Sequence, residues 1–93
     1  RQAGNTVTSP LPTIRVLLAD DQLRVHEAVE LALRDAADIW LVGQAANGDE
    51  AIALCAQHMP DLILMDVLMP GLGGIEATRQ IHQRYPHIKI IFH

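Results

Sequence analysis

The 93 residues fit one compact domain, and a composition of 49% hydrophobic and 19% charged residues excludes an intrinsically disordered chain. Seven basic against eleven acidic side chains give a net charge of −4, and with no Lys/Arg cluster this argues against direct binding of nucleic acid or of an anionic membrane. No apolar run is long enough to span a bilayer, and a single cysteine, Cys55, excludes an internal disulfide and suits a reducing compartment, by default the cytoplasm.

Residues 1–12, "RQAGNTVTSPLP", lack the apolar middle of a signal peptide and read as a flexible polar tail. The domain proper is expected over residues 13–93. Residues 14–19, "IRVLLA", form an aliphatic, β-branched run that ends at two acids, and they predict a first strand. From Leu23 the period changes to three and four, through Val25, Val29, Ala32 or Leu33 and Ala36, which predicts an amphipathic helix ending near "RDAAD". Residues 39–45, "IWLVGQA", predict the second strand.

Asn47 followed by Gly48, Asp49 and Glu50 is a helix start, with a capping side chain and two acids where the unpaired N–H groups favour negative charge. That helix continues through Ile52, Cys55 and Met59 until Pro60 stops it. Residues 62–66 are apolar up to Asp66 and predict a third strand covered on both faces. Gly74 opens a third helix whose inner side is Ile75, Thr78, Ile81 and Tyr85; Pro86 closes it and "IKIIF" begins a fourth strand. Strands alternating with helices predict an α/β fold, a parallel sheet with right-handed crossovers and helices on both faces.

Ligands of such sheets bind beyond the carboxyl ends of the strands. Strand one ends at Asp20 and Asp21 and strand three at Asp66, so three carboxylates meet if the two strands are neighbours. Either protons stay on them or a hard divalent cation sits among them, and oxygen-only ligands favour Mg²⁺ or Mn²⁺ over zinc. Asp20 or Asp21 could instead cap the first helix, and Asp66 could open a polar turn. Asp66 is harder to set aside, because an acid at the end of a buried strand needs a partner. His26, His58, His82, His87 and His93 have no ligand-type spacing and read as solvated. Trp40, Cys55, Met59, Met65 and Met69 read as packing residues.

Three stretches resemble one family. "VLLADDQ" (16–22), "AANGDEAIAL" (45–54) and "PDLILMDVLMPGLGGIEATRQI" (60–81) resemble, in order and spacing, the receiver domain of two-component response regulators. The third leans towards the subgroup with a C-terminal helix-turn-helix DNA-binding domain. The resemblance implies a flavodoxin-like sheet in the order 2-1-3-4, a partial receiver lacking its last β/α part. It implies Asp66 as the phosphoacceptor. It implies Mg²⁺ held by Asp21 and Asp66, by the Leu68 backbone carbonyl and, through water, by Asp20. Met69, Pro70, Gly71, Gly73 and Gly74 would shape the loop over the site.

The implied partner is a sensor histidine kinase, the implied output transcription control, and the implied activity that of a phosphorylated switch rather than a turnover enzyme. The family's switch Thr or Ser falls one position beyond His93, and its strand-five lysine is not among these residues. Two alternatives differ in kind. One is a degenerate receiver used as a protein-binding module; the other is a Mg²⁺-dependent aspartate-nucleophile phosphatase, which would carry a second Asp where Leu68 stands. An exposed fourth strand could also pair with a second copy as a homodimer.

Overall fold

The computed structural model describes residues 13–93; the expected tail, residues 1–12, lies outside the described residues. Seven elements alternate: β1 (Ile14–Ala19), α1 (Leu23–Leu33), β2 (Ile39–Ala45), α2 (Gly48–His58), β3 (Leu62–Met65), α3 (Gly74–Arg84) and β4 (Lys89–Phe92). The sheet is parallel in the order β2-β1-β3-β4. β1 is therefore a central strand, paired with β2 on one side and β3 on the other.

Side chains alternate across a strand, so the register assigns each residue a face. Leu17, Ile63 and Ile90 share one row, and Ala19 and Met65 share the next. These rows face α2 and α3 and form one core with Ala51, Cys55, Ala77, Ile81 and Ile88. Full burial of an aliphatic side chain such as Leu17, Ile63 or Ile81 contributes about 1.5–3 kcal/mol. Burial also pushes the Cys55 thiol up to about 11.

The opposite face carries α1. Val16 and Leu18 are buried there, whereas Leu62 and Leu64 are only half-buried and Ile91 is exposed. The expectation that β3 is covered on both faces thus holds for one face only. The physical reason is that α1 packs chiefly against β2, with β1 standing between it and β3.

α2 starts where the sequence places it. Asn47 Oδ1 accepts the Glu50 N–H at 2.9 Å, and Glu50 Oε1 reaches back to accept the Ala46 N–H at 2.7 Å. It ends at Met59 in the left-handed conformation (φ 46°), which turns that side chain outwards instead of into the core. The Arg15 guanidinium donates to the Met59 carbonyl at 2.8 Å and ties this turn to β1.

α3 is phased differently from the expectation. Its buried stripe is Gly74, Ala77 and Ile81, with Tyr85 packed against the core, and Ile75 is 62% exposed. Gly74 sets the phase, because it sits against the Asp66 main chain where a Cβ would overlap the carbonyl oxygen. Ile75, one residue further round the helix, then faces outwards.

Candidate functional site

Because β1 and β3 are neighbours, the chain leaves the sheet side by side at Asp20 and Asp66. The Asp20 N–H donates to the Ala45 carbonyl at 2.9 Å and the Asp66 N–H to the Ala19 carbonyl at 2.8 Å, which extends the ladder by one rung at each acid. Asp20, Asp21 and Asp66 each offer a carboxylate oxygen, and these oxygens lie within 4.8 Å of one another. Asp20 is buried, Asp66 half-buried and Asp21 exposed.

The two carboxylates at the strand ends are oriented by the backbone. Asp20 Oδ1 accepts the Gln22 N–H at 2.8 Å, and Asp66 Oδ1 accepts the Leu68 N–H at 3.1 Å. The helix-cap alternative is not adopted: the N-cap of α1 is Gln22, and no side-chain bond caps that helix. His93 Nδ1 lies 3.7 Å from Asp20 Oδ2, and among the described residues no lysine or arginine pairs with any of the three acids. Three carboxylates, one of them buried and none paired with a lysine or arginine among the described residues, make an oxygen donor set that fits a hard divalent cation of the Mg²⁺ kind.

The loop after β3 is fastened at both ends. The Gly74 N–H donates to the Val67 carbonyl at 3.2 Å, and the Gly48 N–H to the Leu72 carbonyl at 2.9 Å. Met69 is buried and anchors the middle of the loop, while Pro70 and Gly71 form its exposed tip with Gly71 at φ 69°. Gly73 is the N-cap of α3. Leu68, 82% exposed, stands beside the acceptor strand's end.

A cleft of about 280 Å³ opens on the β2 side of the acid pair, lined in part by Asp20, Asp21, His26, Gln44 and Glu50. His26 corrects the sequence reading. It is buried, not solvated, with Nδ1 2.6 Å from Gln44 Oε1 and Nε2 2.6 Å from the Asp20 carbonyl oxygen. Its position next to Val25 and three before Val29, on the inner stripe of α1, is the signal that marks it.

Residues 16–93 match the family described as the response regulator receiver domain. The chain is 42% identical over 78 residues to the response regulator GacA of Pseudomonas viridiflava, covering 84% of this chain and 36% of the relative. It is 46% identical over 79 residues to the response regulator protein VraR of Staphylococcus aureus, covering 85% and 38%. It therefore spans little more than a third of the length of these curated relatives. Among solved structures, a LuxR-family two-component response regulator from Aurantimonas sp. superposes with a TM-score of 0.79 at 36% identity, over 86% of this chain and 57% of the other. The response regulator domain of Thermotoga maritima CheB gives 0.81 at 35% identity, over 86% and 59%.

Proposed function

The chain belongs to the response regulator receiver family, and from that membership we propose that it is a signalling switch loaded by phosphorylation of Asp66. The observation that carries the reading is the convergence of the three aspartate carboxylates, with oxygens within 4.8 Å, at the ends of two adjacent parallel strands.

In this reading the Leu68 N–H holds Asp66 Oδ1 and leaves Oδ2 to attack phosphorus. The donor is a phosphohistidine of a partner sensor kinase. The new O–P bond forms as the donor's P–N bond breaks, and the departing imidazole nitrogen keeps the electron pair and takes up a proton. Asp21, Asp66 and the Leu68 carbonyl, with Asp20 through water, would hold Mg²⁺ or Mn²⁺. That cation supplies neutralisation of the charge spread over the phosphoryl oxygens. Loss of the free Asp66 carboxylate rearranges the corner, and the change is passed to a DNA-binding output domain, altering dimerisation and transcription. The similarity to a Staphylococcus aureus protein described as a DNA-binding response regulator of the LuxR family supports that output.

Intact mass after incubation with a small-molecule phosphodonor tests the reading. The intact protein should gain one phosphoryl group when Mg²⁺ is present, and Asp66→Asn should gain none. An equal gain in Asp66→Asn overturns the assignment of the acceptor.

A further inference from the structure

We propose that His26 is a positioning residue for the cation site, acting through the Asp20 carbonyl; the inference rests on reading the acid corner as a Mg²⁺ site. The Asp20 carbonyl stands just past the end of the sheet. The last paired residues of β1 are Ala19 with Ala45 on one side and Ala19 with Met65 on the other. The helix does not use this carbonyl either: the ladder of α1 begins at the carbonyl of its N-cap, Gln22, which accepts the Val25 and His26 N–H groups at 3.0 and 3.4 Å. A buried carbonyl in that position needs a donor, and the His26 imidazole is the one it has, at 2.6 Å.

A carbonyl oxygen only accepts, so Nε2 carries the hydrogen. Nδ1 faces the Gln44 side-chain amide on β2 at 2.6 Å, and an amide can present either of its ends to that nitrogen. The ring is thus anchored between two elements. With the Asp20 N–H on Ala45, Oδ1 on the Gln22 N–H and the carbonyl on His26, three of Asp20's four polar atoms are occupied. The fourth, Oδ2, lies 3.7 Å from His93 Nδ1.

The peptide unit is planar, so fixing the direction of the Asp20 carbonyl also fixes where the Asp21 Cα lies. His26 therefore orients both members of the acid pair without touching the cation. Deletion frees the Asp20–Asp21 peptide to rotate and leaves a buried acceptor without a donor, so metal affinity falls by more than the fold itself suffers. Partners one step behind a metal ligand typically change affinity by roughly 10–100-fold when removed.

The test is calorimetric titration of the intact protein with Mg²⁺ alone, with Tm measured beside it. His26→Ala is expected to weaken Mg²⁺ binding about 10-fold. His26→Gln, whose amide N–H reaches the same carbonyl, should restore affinity to within about 3-fold of the unsubstituted protein. A His26→Ala variant that binds Mg²⁺ normally while its Tm drops overturns the inference, since the ring is then only a packing residue. His26→Gln binding as weakly as His26→Ala overturns it too, because the donor is then irrelevant. If His26→Ala does not fold, Gln44→Ala decides: a loss of about 3-fold is expected from a ring freed at one end, and unchanged affinity overturns the proposal. No Mg²⁺ binding by the unsubstituted protein overturns the cation site, and this inference with it.

Discussion

Replacing Asp21 by Asn should stabilise the metal-free protein. The three carboxylates offer oxygens within 4.8 Å, and two unit charges that far apart repel by about 0.9 kcal/mol at the dielectric of water and about 3.5 kcal/mol at an effective dielectric of 20. Asp21 is the exposed member, so the lower figure applies to each of its two neighbours, giving about 2 kcal/mol. Physiological salt roughly halves an interaction over this distance, which leaves about 1 kcal/mol. For a domain of this size that corresponds to a rise in Tm of about 4–8 °C. The assay is thermal denaturation in EDTA and again over a series of Mg²⁺ concentrations. Bound cation stabilises the folded state by mass action, so the unsubstituted protein should gain Tm as Mg²⁺ rises and Asp21→Asn should gain much less. The two curves converge and then cross. An unchanged or lower Tm for Asp21→Asn in EDTA would show that the acids are not crowded against one another, and the physical case for a cation would fall with that.

Three other outcomes are expected. Gly74→Ala forces a methyl into the Asp66 carbonyl, so urea denaturation should show a loss of about 1–3 kcal/mol and phosphoryl uptake should fall together with it; retention of both would mean α3 can slide away freely. Asn47→Ala removes the acceptor of the Glu50 N–H and should cost about 1 kcal/mol in the same assay, whereas Asn47→Asp should keep most of it. Cys55 is fully buried with its thiol held up near 11, so a thiol reagent at pH 8 should label it only after denaturant opens the core; rapid labelling of the native protein would contradict the packing of α2.

What could be read from the sequence, and what could not, divides along physical lines. The bounds of β1 and β2 and the start of α2 followed from strong local signals: β-branched runs, and an Asn followed three residues later by Glu. Asp66 stood out because a charge at the end of an apolar strand is costly anywhere else. The closeness of Asp20, Asp21 and Asp66 was conditional on strand order, and the β1–β3 pairing supplies that condition. Among the differences between sequence and structure, three depend on contacts between elements. Periodicity points Ile75 inwards, but the phase of α3 is set by Gly74 meeting the Asp66 main chain, which no periodicity reveals. The unbroken apolar run of β3 predicts two covered faces, but it does not say how far a neighbouring helix extends. The inner stripe of α1 marks His26 for burial, but the partner it meets there, an orphan carbonyl six residues earlier, exists only once β1 has turned into α1.

The central place of β1 has a bearing on which parts of the molecule open first. Amides of a strand bonded on both sides exchange with solvent only when much of the domain unfolds, whereas those of peripheral segments exchange through local fraying. The Asp20 and Asp66 amides continue that same ladder, donating to Ala45 and Ala19. Loops and helix ends can therefore breathe on fast timescales while the acid corner keeps its spacing, mounted on the last part of the chain to let go.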